Sequence, residues 1–133
     1  MKINSNVQKA HLKTRELFGN YINGNGHNDC ADAFRHAYFN MLNTRDIGSE
    51  LTFQFGEAHE CDSQYEIETE MDLFNNDVGI NLALFNPQVP LEVLTQSLLT
   101  KLYNGELMIL NNLGANNTVT SQSETINSLP CAS

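Results

Sequence analysis

The chain has 133 residues, of which 41% are hydrophobic, and this suits a single globular domain with a modest core. Seven basic and 16 acidic residues give a formal charge of −9. No Lys or Arg occurs between Arg45 and Lys101, whereas eleven acidic residues fall in that window. Such a surface repels phosphate backbones, so we exclude nucleic acid as a partner.

The hydropathy pattern shows neither a membrane segment nor a leader. No apolar run approaches the roughly 18 residues that cross a bilayer, so we expect no transmembrane segment. The first residues, MKINSNVQKAH, lack the apolar core of a signal peptide. We therefore expect either a cytoplasmic protein or a piece of a larger secreted one.

Hydrophobic spacing predicts five helices in succession. Asp29 is the expected N-cap of the second helix, after the breaker NGNGHND. The predicted helices cover residues 5–21, Cys30 to about Thr44, Ser49 to Glu60, Glu70 to Phe85, and Pro90 to Gly105.

The apolar stripes of these helices predict which faces are buried. On the third helix, Leu51, Phe55 and His59 share one face. The fourth helix carries two adjacent stripes: one is apolar (Met71, Phe74, Val78, Leu82, Phe85), and the other is Asp72, Asn75, Asn76 and Gly79. Adjacent Asn residues cost helix stability, so we expect them to hydrogen-bond the second helix, and we expect Gly79 to allow a close approach.

Outside the helices, the pattern is less regular. Residues 61–69 form an acidic connector in which Glu66, Glu68 and Glu70 alternate like an edge strand. Residues 106–113 either extend the fifth helix or form a strand. We predict a mainly α fold: one small bundle of about five helices over residues 1–113, with a flexible polar tail over 114–133.

Three cysteines are present, Cys30, Cys61 and Cys131, without a CxxC pair. In an exported domain, Cys30 and Cys61 can form a disulfide, whereas in a reducing cytosol they are buried thiols. We prefer the interpretation as thiols.

The stretch from Gly26 to Leu42, GHNDCADAFRHAYFNML, carries a polar row on a helix otherwise suited to a core. Asp32, His36 and Asn40 are four residues apart and therefore lie along one side. A carboxylate and an imidazole one turn apart can act as an acid–base pair, or both can bind a metal ion.

Polar groups on three successive helices need a common explanation. They form either a buried network that fixes the packing or a functional site. His36 and His59 with Glu60 or Asp72 would make a two-His, one-carboxylate metal set. The candidate catalytic residues are Asp32, His36, His59, Glu60 and Asp72. The candidate binding residues are Arg35, Asn40, Asn75 and Asn76. The candidate ligands of a divalent cation (Zn or Ca) are His36, His59 and Asp72.

Three sequence blocks, DAFRHAYFN, GEAHE and MDLFNNDVG, resemble an uncharacterised family of bacterial domains with the motifs DAFRHxYW, AHE and MDLxNNxxG. The similarity spans about residues 26–80. Phe39 stands where Trp is usual, and Phe74 stands where many members have His. Members occur alone and at the C-termini of RHS-type and other polymorphic toxins. The resemblance implies that the family's polar set comprises Asp32, Arg35, His36, His59, Glu60, Asp72, Asn75 and Asn76.

Two hypotheses follow. The first is a small hydrolase of the toxin-effector type, acting on lipid or cell-wall substrates, with His36 as base oriented by Asp32. Glu60 and Asp72 can alternatively serve as the two carboxylates of a muramidase. The second is a non-enzymatic acidic module, such as an immunity-type partner of a cognate basic toxin, whose polar network is structural.

Overall fold

A computed structural model describes residues 2–19, 27–60 and 65–132. The described residues are mainly α-helical, which confirms the predicted fold class. Five α-helices are followed by a two-stranded sheet and two short 3-10 helices. Their bounds are α1 Lys2–Phe18, α2 Cys30–Ile47, α3 Ser49–Glu60, α4 Glu66–Leu84, α5 Leu91–Tyr103, β1 Met108–Asn111, a 3-10 helix Ala115–Asn117, β2 Glu124–Asn127, and a 3-10 helix Leu129–Ala132.

Helix α2 is the central element, because it contacts the other four α-helices and β1. Phe34 and Met41 are fully buried on it, and small residues such as Ala33 and Ala37 let its neighbours approach closely. The side chain of Asp29 accepts a hydrogen bond from the backbone N–H of Asp32, so the predicted N-cap is confirmed. None of the described helices combines the length and apolar character needed to span a bilayer.

Helix α3 has the predicted bounds, but the predicted buried face is wrong. Its buried residues are Thr52, Gly56 and Glu60, whereas Leu51, Phe55 and His59 are exposed. The reason is close packing: a Cβ placed on Gly56 would lie 3.0 Å from Nδ2 of Asn76 on α4. The helix therefore turns its small residues, rather than its largest apolar ones, toward its neighbour.

Helix α4 begins at Glu66, so Glu66, Glu68 and Glu70 are helical, and neither the predicted connector nor the edge strand that their alternation resembled is present there. Acidic side chains in a first helical turn are stabilised by the helix dipole, and this outweighs the alternating pattern. Phe74 is 44% exposed and Phe85 is 75% exposed, so the predicted apolar stripe is only partly buried.

The Asn75–Asn76–Gly79 stripe of α4 faces inward instead. A Cβ on Gly79 would lie 1.9 Å from the backbone oxygen of Ala37, so only glycine permits this contact between α4 and α2. Nδ2 of Asn40 donates to Oδ1 of Asn76 at 2.8 Å. Both expectations for this face, the hydrogen bond to the second helix and the close approach, are confirmed.

The C-terminal segment folds against the bundle. Residues 108–111 form a strand, the second of the two predicted alternatives, and pair antiparallel with β2. We did not anticipate β2, which lies in the predicted tail. Leu107, Ile109 and Leu110 are buried, and the Oγ of Ser128 donates to the backbone oxygen of Leu102 at 2.6 Å.

The cysteine interpretation is wrong for Cys30. Cys30 forms a disulfide with Cys131, 101 positions away in the sequence, rather than remaining a thiol or pairing with Cys61. Its physical cause is the return of the C-terminal segment to the beginning of α2, which brings the two Cα atoms to 5.8 Å. Cys61 lies outside the described residues, as does the glycine-rich loop up to residue 26.

Candidate functional site

Asp32, His36 and Asp72 come together between α2 and α4. Nε2 of His36 lies 3.2 Å from Oδ1 of Asp32 and 3.5 Å from Oδ1 of Asp72. One ligand-type atom from each residue lies within 4.8 Å of the others. The helical spacing of four residues places His36 one turn above Asp32, and the α2–α4 contact at Gly79 brings in Asp72.

Asp32 is held from several directions. Its Oδ2 accepts a 2.6 Å hydrogen bond from the backbone N–H of Asn28, and its Oδ1 accepts one from the Arg35 guanidinium at 2.7 Å. Burial opposes ionisation, but the charge and hydrogen bond of His36, with Arg35 and Asn28, hold the pKa of Asp32 below its usual range. Asp32 is therefore an ionised carboxylate in a set position.

His36 and Asp72 both favour their protonated forms. Burial tends to lower the pKa of His36, but the adjacent charges of Asp32 and Asp72 outweigh it and raise the pKa to about 9. Burial is the main reason that the pKa of Asp72 rises to about 8, with contributions from Asp32 and Glu60 and with His36 opposing. At neutral pH the group holds an imidazolium and a largely neutral carboxyl beside an ionised one.

Glu60 joins this group through Asp72. Its carboxyl lies within hydrogen-bonding reach of Asp72, and only 9% of the residue is exposed. The Oδ1 atom of Asp72 is buried and has no hydrogen-bond partner within the part of the chain that the structure describes. The structure thus brings together four of the five candidate catalytic residues: Asp32, His36, Glu60 and Asp72.

His59, the fifth candidate, is not part of the Asp32–His36–Asp72 group. It is exposed and lines a cleft of about 370 Å³ whose wall also includes His36 and Arg35. His36 is thus shared between the buried carboxylates and the cleft. The predicted ligand set of His36, His59 and Asp72 differs from the observed group by one residue, because Asp32 takes the place of His59.

The candidate binding amides connect structural elements. Asn75 makes two hydrogen bonds with the backbone of Met108, donating to its oxygen at 2.8 Å and accepting from its N–H at 2.9 Å. Asn40 donates to the backbone oxygen of His36 as well as to Asn76. Asn40 and Asn76 also reach the cleft wall.

Sequence analysis missed Asn28, the residue that links Asp32 to the C-terminal segment. It is 1% exposed and has a φ of 62°, a left-handed conformation that Asn tolerates better than most residues. Its side chain donates to Glu68 at 2.7 Å and to the backbone oxygen of Asn117 at 3.0 Å. The only local signal was an Asn directly before the helix cap, whereas both partners are remote in sequence.

The profile of the family described as "Domain of unknown function (DUF6973)" matches residues 1–106. This range includes all five helices and all the residues of the site described above. Neither the curated proteins nor the solved structures include a significant match to the chain.

Proposed function

This chain belongs to the DUF6973 family of domains of unknown function, and we propose that it is a small hydrolase with His36 as the acid–base group. The observation that carries the proposal is the position of His36. Its Nε2 lies between the carboxyl groups of Asp32 and Asp72, while its ring forms part of the cleft wall. A group that moves protons needs both a fixed orientation and access to a substrate.

The neighbouring residues have distinct roles in this proposal. Asp32, ionised and held by Asn28 and Arg35, orients the imidazole and stabilises its charged form. Because the pKa of His36 is raised to about 9, only its deprotonated form takes a proton from the attacking water, so activity should rise as pH approaches 9. The imidazolium formed in that step then returns the proton to the leaving alcohol. Asp72, hydrogen-bonded to Glu60, is a positioning residue that changes the proton affinity of His36.

A lipid ester fits this site better than a glycan does. Glycosidases place their two carboxyl groups about 5 Å or more apart, on either side of the bond that they cleave. Neither Glu60 nor Asp72 lines the cleft, so these two carboxyl groups do not stand on either side of a bond held there. Cell-wall cleavage stays the second substrate class.

A divalent cation such as Ca or Zn is the alternative occupant of the Asp32–His36–Asp72 group. Two observations support it: three donor atoms lie within 4.8 Å of one another, and the buried Oδ1 of Asp72 has no hydrogen-bond partner among the described residues. Against it, Oδ1 of Asp32 already contacts both Arg35 and His36. The acid–base proposal is therefore the primary one.

The biological context that we propose is a bacterial toxin-type effector. The Cys30–Cys131 disulfide supports export, because disulfides persist in oxidising compartments. The resemblance of the three sequence blocks to toxin-associated domains supports the same context. The alternative is an immunity-type module, favoured by the amides of Asn40, Asn75 and Asn76, which join elements as a structural network would.

The test is hydrolysis of two substrates by the purified, oxidised protein: phospholipid vesicles and peptidoglycan. Each is incubated with EDTA, Ca²⁺ or Zn²⁺, and products are measured by mass spectrometry. We expect lipid hydrolysis, and a loss of at least about 100-fold in His36→Gln. Asp72→Asn is the second variant, and it should shift the pH–rate profile to lower pH, because the pKa of His36 falls without the charge of Asp72.

His27→Gln is the matched control, because His27 is exposed, pairs with Glu68 and lies outside the Asp32–His36–Asp72 group. It should retain wild-type activity. Activity that disappears with EDTA and returns with one cation selects the cation alternative. The absence of product from both substrates under all three conditions would overturn the hydrolase proposal.

A further inference from the structure

The cleft beside His36 has a wall built from four helices. Helix α1 contributes Val7 and His11, α2 contributes Arg35 and Phe39, and α3 contributes Phe55 and His59, with Asn76 from α4. The carboxylates of Asp32 and Asp72 lie behind His36 and are not part of this wall. The residues that line the cleft can therefore be considered separately from the Asp32–His36–Asp72 group, with His36 common to both.

The polar side chains of this cleft contrast with the acidic composition of the whole chain. The sequence has 16 acidic residues and only 7 Lys and Arg, yet no carboxylate belongs to the cleft wall among the described residues. Three of the four histidines of the chain lie in the wall, together with Arg35. A recess of nitrogen donors within an acidic protein favours an anionic ligand.

His11 and Arg35 are electrostatically coupled across the cleft. Burial is the main cause that lowers the pKa of His11, and the positive charges of Arg35 and then Arg15 lower it further. An anion bound beside His11 would favour its protonated form, which burial and the two arginines disfavour. The side chains of His11 and Arg35 line the same cleft, so one ligand can contact both.

Part of the same wall is apolar. Val7 and Phe55 are each 39% exposed, and the rings of Phe39 and Phe55 meet edge-on with centroids 6.4 Å apart. The volume of about 370 Å³ lies in the lower part of the range for small-molecule sites, roughly 300–1,000 Å³, and is too small for a folded partner. One head group with the first part of an acyl chain fits this space.

We propose that this cleft binds a single anionic amphiphile, with a phosphate group at Arg35, His11 and His59 and an alkyl chain along Phe39 and Phe55. This inference rests on the proposed function, because it assigns the substrate class of that site. An ester bond between head group and chain would lie beside His36, which occupies the same wall.

Binding can be tested separately from catalysis with dodecylphosphonate, whose P–C bond is not a hydrolysable ester. The probe is titrated, below its micelle concentration, into the oxidised full chain, and calorimetry gives the Kd. Inorganic phosphate and the neutral dodecyl maltoside are titrated in parallel. We expect dodecylphosphonate to bind at least about tenfold more tightly than either.

Variants of the cleft residues test which side chain binds the phosphonate group and which binds the alkyl chain. His59→Gln should weaken dodecylphosphonate binding by about tenfold, since a charge-assisted hydrogen bond is lost. His27→Gln, the histidine outside the cleft, should not change it. Phe55→Ala should weaken dodecylphosphonate but leave phosphate binding unchanged.

Equal affinity for phosphate and dodecylphosphonate would assign the cleft to free phosphate and overturn the proposed amphiphile. Equal affinity for dodecyl maltoside, or wild-type binding by His59→Gln, would overturn the anionic site. Hydrolysis of another substrate without dodecylphosphonate binding would overturn this inference alone. Binding of dodecylphosphonate without hydrolysis of either substrate would support the proposed amphiphile site and contradict the proposed hydrolase activity.

Discussion

The side chains of Asp32, His36 and Asp72, at the contact between α2 and α4, have pKa values that differ from those of isolated residues. His36 is paired with two carboxyl groups, and Asp72 is buried beside His36, Asp32 and Glu60. The pKa of His36 rises from its ordinary value of 6.5 to about 9, and that of Asp72 rises from 3.8 to about 8. Both residues therefore bind protons more tightly in the folded state than in the unfolded state.

The sign of the pH dependence follows from these shifts. The stability that His36 contributes is fully present below pH 6.5 and is lost as pH rises through about 9. Deprotonation of Asp72 destabilises the folded state progressively as pH rises from 3.8 through about 8. The pKa of Asp32 is lowered, so its ionised carboxylate stabilises the folded state, and this contribution is lost only as pH falls into the acidic range.

We predict that the melting temperature falls by several degrees between about pH 6 and about pH 9. Asp72→Asn should flatten this fall, because the carboxyl that titrates in this window is gone and the pKa of His36 drops with it. Glu70→Gln, an exposed change on the same helix, is the control and should retain the wild-type slope. Thermal unfolding followed by circular dichroism measures all three, and equal slopes would contradict the prediction.

At the scale of elements, the decisive contacts are made by small and amide side chains rather than by large apolar ones. Gly79 and Ala37 set the distance between α4 and α2, and Gly56 sets the distance between α3 and Asn76. Asn75 pairs with the backbone of β1 as another strand would. These contacts place Asp72 beside His36 and Glu60 beside Asp72, so the packing of three helices determines the site.

Gly79→Ala and Gly56→Ala should therefore differ sharply. The added methyl at residue 79 meets a backbone oxygen at 1.9 Å, so we expect a loss of about 3 kcal/mol in the free energy of unfolding. At residue 56 it meets the end of an Asn side chain at 3.0 Å, which can shift. The gain in helix propensity of about 1 kcal/mol then makes Gly56→Ala nearly neutral.

Urea unfolding at neutral pH measures both changes. The same helix-propensity gain applies to each glycine, so Gly56→Ala is the matched control. Similar free energies for the two variants would show that α2 and α4 do not approach each other as closely as the structure has them.

Across the whole molecule, the C-terminal segment connects back to the start of α2. The Cys30–Cys131 disulfide and the Asn28–Asn117 hydrogen bond both join it to the residues that position Asp32. The family match ends at residue 106, whereas this segment covers the residues beyond it. The predicted domain boundary at residue 113 and the predicted flexibility of residues 114–133 stay predictions.

Cys131→Ser should lower the free energy of unfolding by at most about 5 kcal/mol, the loop-closure value for a loop of roughly 100 residues. A reductant should lower the wild-type melting temperature toward that of the variant and leave the variant unchanged. Non-reducing peptide mapping should recover a Cys30–Cys131 linked peptide. A Cys30–Cys61 peptide, or a melting temperature that the reductant does not change, would contradict the observed pairing.

The positions of the five helices and the polar rows on α2 and α4 followed from the sequence alone. Periodicity, capping and glycine or proline breaks act within about one helical turn, so neighbouring residues are enough to reveal them. The cap at Asp29 belongs to this class. The close approach at Gly79 and the hydrogen bond between the side chains of Asn40 and Asn76 join two helices, and the polar stripe of α4 predicted them only as contacts with the second helix.

Only the tertiary structure decided how each helix turns about its axis and what the C-terminal segment contacts. The buried face of α3 depends on the space beside Asn76, and the Cys30–Cys131 pairing depends on a chain that returns after 101 positions. The proton states of His36 and Asp72 depend in turn on burial and on charges from other helices. These properties arise from residues far apart in the chain, and local sequence patterns do not encode such distances.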